Sequence, residues 1–136
     1  MTETGQAPRQ QPISFRNPAL AVGASATYMV EEAEENGQIL SASYTPDAGI
    51  TGVATNNRVI RVINRGQSGG GTAVMAELTF AAGTSVAAGD EIAIPLSATL
   101  ANLECDAGDI IAVQSGINGT GLADPGGLVQ ITLERE

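Results

Sequence analysis

Two glycine-centred stretches carry carboxylates at short spacing. Cys105-Asp106-Ala107-Gly108-Asp109-Ile110-Ile111 sets two aspartates around a glycine, and Ala87-Ala88-Gly89-Asp90-Glu91-Ile92 repeats its Ala-Gly-Asp-x-Ile core. Closely spaced carboxylates are what a hard cation takes, but calcium asks for about six or more oxygens from one clustered loop. The upstream copy has Ala87 where the other has Asp106, so the ligand set is not kept between them. What both copies keep is a glycine and an aspartate directly before an apolar run. That is the chemistry of a turn feeding a strand, with the glycine free to take positive φ and the aspartate bonding nearby amides. Both stretches are read as turns. Asp106 with Asp109 is the one pair that offers a weak cation contact, and no metal is expected.

Other catalytic chemistry is short of parts. The chain has no histidine and no lysine, so general bases reduce to carboxylates, tyrosines and Cys105. Gly66–Gly71 and Gly116–Gly121 are glycine-rich, yet a phosphate-cradling P-loop needs a lysine, and neither stretch runs from a strand into a helix. Cys105 has no histidine to activate it and reads as a small buried hydrophobe. A two-carboxylate glycosidase is formally open, but sugar sites stack on aromatic faces, and only Phe15, Tyr28, Tyr44 and Phe80 exist. The expectation is a protein that is not an enzyme, with no cofactor and no small-molecule substrate.

The elements that would position such groups follow from size and patterning. A chain of 136 residues is one domain by size and long enough to bury a core. Its net charge of −9 comes from 15 acidic and 6 basic residues, all of the latter arginines. That balance argues against nucleic acid, whose phosphates need a basic face, and against an anionic membrane surface. A lone cysteine cannot form an intrachain disulfide, so nothing in it implies folding in an oxidising compartment. No run of 18 apolar residues suggests a membrane span, and the apolar stretch Ala19–Ala26 is too short and interrupted for a secretion signal.

Residues 1–18 hold three prolines and three glutamines, with Ile13 and Phe15 as the only sizeable apolar side chains. Because proline blocks helix and ladder bonding, this segment reads as an extended arm ahead of a domain over residues 19–136. Ordered against a partner, it would use Ile13 and Phe15 as anchors and Arg9 and Arg16 as charge contacts. Beyond it, short strands alternate with glycine turns. Ala26–Glu35 leads into Asn36-Gly37, a strong hairpin signal, and returns over Gln38–Thr45, with Tyr44 facing the core. Arg58–Arg65 follows, with Arg58, Arg61 and Arg65 read as outward cations that meet an acidic patch such as Glu31–Glu35 of another subunit. That acidic run reads, within its own chain, as a solvated hairpin end that discourages strand pairing. Ala73–Ala81 turns Val74, Ala76, Leu78 and Phe80 inward. Asp90–Leu96 sets Ile92, Ile94 and Leu96 on one face, with Pro95 marking an edge or bulge. Asp109–Ser115 is a largely apolar run. Gly127–Arg135 alternates Val129, Ile131 and Leu133 with Gln130, Thr132 and Glu134. Seven to eight such strands without a helical stripe predict an all-β antiparallel sandwich or jelly roll.

Two stretches carry a resemblance. Gly119-Thr120-Gly121-Leu122-Ala123-Asp124-Pro125-Gly126-Gly127-Leu128-Val129 and Ser43-Tyr44-Thr45-Pro46-Asp47-Ala48-Gly49-Ile50-Thr51-Gly52 resemble those of small virion proteins of tailed bacteriophages, specifically head decoration (cement) proteins. The Asp-Pro-Gly-Gly turn is the most specific part, and the N-terminal arm lies outside the resemblance. The resemblance implies a compact β-domain that binds the outer surface of an expanded capsid, clusters there as trimers, and staples neighbouring major capsid subunits without chemistry. It implies assembly in the bacterial cytoplasm and residence on the virion. The rival reading is a tail- or fibre-associated domain that binds a host glycan, which requires an exposed aromatic cluster.

Overall fold

The structure is a computed structural model that describes residues 9–135. Nine strands make two antiparallel sheets, and among the described residues no α-helix forms. The first sheet runs β1 (Gln10–Asn17), β9 (Gly127–Arg135), β3 (Gly37–Pro46) and β6 (Ile92–Ala93), with β7 (Glu104–Cys105) also paired to β3. The second runs β2 (Ala26–Glu32), β8 (Ile110–Ile117), β4 (Arg58–Asn64) and β5 (Ala73–Thr79). The expected sandwich is therefore the observed one.

Its core is the space between the sheets. Val129, Ile131 and Leu133 of β9 are buried against Ile60 and Val62 of β4 and Ile111 and Val113 of β8, with Met75, Phe80 and Ile94 filling the remainder. The period-two alternation of β9 predicts this, because successive side chains of a strand leave on opposite faces.

The N-terminal segment departs from expectation. Residues 10–17 are not an arm but strand β1, paired along its length with β9 from Gln10↔Glu134 to Asn17↔Gly127. Proline was expected to forbid this, and the register shows why it does not. The amide of Arg135 donates to the carbonyl of Arg9 at 2.8 Å, so odd-numbered residues of β1 turn their backbone groups to β9. Pro12 is even-numbered, and its missing N–H falls on the open side, where an edge strand tolerates proline. Odd side chains point inward: Gln11, Ile13 and Asn17 are buried and Phe15 is half-buried. The first eight residues of the expected arm lie outside the described ones.

The Asn36-Gly37 hairpin is also not formed. β2 pairs with β8 and β3 with β9, so the chain at this point crosses from one sheet to the other. Gly37 serves close approach: a β-carbon there would lie 2.0 Å from the Glu134 carbonyl oxygen. Asn36 accepts a hydrogen bond from the Ala107 amide at 2.8 Å, which holds the crossing to the 106–109 turn.

Two bulges shift side chains that simple alternation misplaces. In β5 the register slips opposite Val62/Ile63, so Met75 is buried while Val74 is only half-buried. In β3 a slip between Ile39 and Ser41 leaves Leu40 exposed. The strand expected over Asp90–Leu96 is divided between the sheets. Ile92–Ala93 pairs with β3, whereas Leu96 bridges Ala76, and the amides of Glu77 and Ser97 bond the carbonyls of Pro95 and Met75 at 2.9 Å each. One flank of the sandwich is thus stitched by a single segment turning at Pro95. The other flank carries the outer strands β1 and β2.

Candidate functional site

The polar centre of the molecule lies at the end of the sandwich where β9 begins. Its hub is Asp124, 1% exposed, in the turn Asp124-Pro125-Gly126-Gly127. Gly126 takes φ +81°, which lets its amide fold back and donate to Asp124 Oδ1 at 3.0 Å. The same oxygen accepts the Tyr44 hydroxyl at 2.6 Å. The other, Oδ2, accepts Asn17 Nδ2 at 2.8 Å and the Ser115 hydroxyl at 2.5 Å. Asn17 and Tyr44 come from the first sheet and Ser115 from the second, so one carboxylate ties both sheets to the loop before β9.

Arg58 completes the centre. Its side chain is fully buried, and its guanidinium donates to the carbonyls of Leu122 and Ala24 at 2.5–2.9 Å and to Ala21 at 3.3 Å. It also donates to the Ser115 hydroxyl at 3.3 Å. Ser115 therefore relays between a buried cation and a buried anion. Each buried charge is thus satisfied by hydrogen bonds, with Ser115 as the link between the two. Burial pulls the Arg58 guanidinium below its ordinary value, and the Asp124 charge works against that pull. Burial, then the hydrogen bond and charge of Asp124, push the Tyr44 hydroxyl far above its ordinary value.

The Tyr44 shift has a definite pH consequence. The fold favours the neutral phenol, so its contribution is complete below about pH 10, where an unfolded tyrosine ionises, and is lost as pH rises above that. Tyr44→Phe is expected to flatten the fall in stability between about pH 9 and 11, read as urea midpoints across that range. A variant whose midpoint falls as steeply as the parent's would contradict this assignment.

The residues singled out from sequence are scattered by the fold. Ile13 and Arg58 are interior residues, which withdraws both from any partner contact. Arg58 was read as outward, yet it shares the face of Ile60 and Val62, and its charge is met by carbonyls and Asp124 rather than by solvent. Phe15 packs on Tyr28 of β2, ring centroids 5.3 Å apart, closing the flank between the two outer strands. Arg9 pairs with Glu35, and Arg16 donates to both oxygens of Asp47 at 2.8 and 2.9 Å. On the outside of the second sheet Arg61 bonds Glu77 at 2.5 Å and Gln114 at 2.9 Å. Arg65 reaches the Gly69 carbonyl at 3.1 Å.

Both Ala-Gly-Asp stretches are turns. The amides of Asp90 and Asp109 bond the carbonyls of Ala87 and Asp106, with Gly89 and Gly108 at φ +77° and +92°. Asp109 Oδ2 accepts the Asp106 amide and Asn64 Nδ2, both at 2.9 Å. That carboxylate is engaged by the protein's own donors. Among the described residues no three of Asp, Glu, Cys and His come together at a spacing that holds a metal.

The Asp124 centre was missed from sequence because its partners are 9 to 107 residues away along the chain. A signal existed in Arg58, a cation in phase with Ile60 and Val62. No protein family, curated protein or solved structure matches this chain.

Proposed function

We propose that this protein is a non-enzymatic virion component, a decoration protein that binds the outer surface of an expanded phage capsid and staples neighbouring major capsid subunits. The observation that carries the reading is where the two resembling stretches fall. Residues 43–52 and 119–129 are about 80 residues apart in sequence, yet they meet through the Tyr44–Asp124 hydrogen bond at 2.6 Å and the bond from the Asp47 amide to the Gly126 carbonyl at 2.8 Å. The stretches that carry the likeness thus form one structural unit rather than two unrelated turns. A rigid sandwich cross-linked at that unit suits a protein whose task is mechanical, and many weakly held copies on one shell gain by avidity.

A tagged copy made in phage-producing cells is expected to sediment through a gradient with capsid-sized particles, including those without tails. Migration only with tails would favour the glycan-binding rival, and protein left at the top of the gradient would remove the virion reading.

A further inference from the structure

The chain holds two Asn-Gly pairs, Asn36-Gly37 and Asn118-Gly119. Such a pair reacts with itself when the glycine amide, with no β-carbon beside it, is free to approach the carboxamide carbon of the residue before it. What holds that amide decides the matter. Gly37 is locked. As the first residue of β3 it pairs with Cys105 on one side and Arg135 on the other, and a β-carbon on it would lie 2.0 Å from the Glu134 carbonyl oxygen. Its nitrogen turns toward the Asn36 side chain only if three strands part. Gly119 stands outside the strands, in the exposed turn after β8. Around it the amides of Asn118, Thr120 and Gly121 donate to the Asn57 carbonyl, Asn56 Oδ1 and the Asn118 carbonyl at 3.0–3.1 Å. The Gly119 amide has no acceptor among the described residues.

We propose that Asn118 is a site of spontaneous deamidation in the folded protein, whereas the fold protects Asn36. The Gly119 nitrogen bonds to Asn118 Cγ and the Cγ–Nδ2 bond breaks. The side-chain nitrogen leaves as ammonia, carrying the former amide proton, and a succinimide ring remains. Water then opens the ring at one of its two carbonyls, which leaves aspartate or, with the main chain rerouted through Cγ, isoaspartate. Solvent is the only co-reactant. Asn118 is exposed, and its carboxamide is released by the loss of a single hydrogen bond, from Nδ2 to Asn57 Oδ1 at 2.8 Å.

The product acts on the loop it touches. A carboxylate at position 118 has no proton to give Asn57 Oδ1 and sets one acceptor against another. Asn57 is buried, and its own Nδ2 holds the Val53 carbonyl at 3.2 Å, so the loop before β4 loses a tie to the turn after β8. Isoaspartate also lengthens the main chain of that turn, where packing is already close: a β-carbon on Gly121 would lie 2.3 Å from Ile117 Cγ2. Next along the chain is Leu122, whose carbonyl receives Arg58, so the change reaches the edge of the Asp124 centre. Each event adds one negative charge to the net −9. The proposal does not depend on the capsid reading.

Incubation of the full chain in mildly alkaline buffer, followed by tryptic peptide mapping with fragmentation in the mass spectrometer, tests this. Cleavage at arginine places Asn36 on peptide 17–58 and Asn118 on peptide 66–135. In the folded protein, acid is expected to accumulate at residue 118 at least about tenfold faster than at 36, which waits on opening of the strands. In urea the two sites are expected to convert at similar rates. Folded protein that stays intact at 118, or that converts as fast at 36, overturns the proposal. So does an Asn36 that is as slow in urea as in the folded chain, since the strands would then not be what protects it. Asn118→Gln is expected to remove the acidic species that grows in on ion exchange, and its undiminished appearance in that variant overturns the assignment to this site.

Discussion

Asp124→Ala is expected to destabilise the fold by at least about 3 kcal/mol, because four buried donors lose their acceptor at about 1–3 kcal/mol each. The change strips the acceptor from Tyr44, Asn17, Ser115 and the Gly126 amide together, and it takes the nearby negative charge from Arg58, which keeps its carbonyls and the Ser115 hydroxyl. Buried donors left unmet each carry their own desolvation cost, so the loss exceeds that of any one hydrogen bond. Asp124→Asn keeps the shape but sets a donor against donors, and it is expected to lie between wild type and alanine. The measurement is urea unfolding, read as the shift in midpoint at constant slope. A loss within about 1 kcal/mol, the centre of the range for ordinary substitutions, would mean that the centre does not lock the sheets together.

The second large effect concerns β1. Ile13→Ala is expected to cost about 2–5 kcal/mol, as for other large-to-small changes in a packed core. Ser14→Ala, one residue along, is expected to stay within about 0.5 kcal/mol. The contrast follows from the phase of the strand, since Ile13 is 3% exposed and Ser14 points to solvent. A free arm would give two silent substitutions. Equal costs would contradict the register in which β1 pairs with β9.

Much of this fold is visible in the sequence wherever one residue type decides a position. The alternation in β9 marks three core side chains without ambiguity, and Gly89 and Gly108 mark turns because aspartate and a strand follow each. The failures have physical causes. Pro12 counts against a strand only until its parity is known, and parity comes from a partner more than a hundred residues away. Asn36-Gly37 signals a tight turn, but that chemistry does not say whether the two strands lie in one sheet or in two. The bulges at Leu40 and Met75 each shift the inward phase by a residue, which pattern reading alone cannot locate. The Asp124 centre is the extreme case: each of its members is an ordinary polar residue until the fold gathers them around one carboxylate.

Gathering both resembling stretches at that centre is also what gives the functional reading its direct test. Purified protein added to expanded phage capsids that lack it is expected to bind saturably, to pellet with them, and to raise the temperature at which the shells come apart. Capsids that neither retain the protein nor gain heat stability in its presence would contradict the decoration reading.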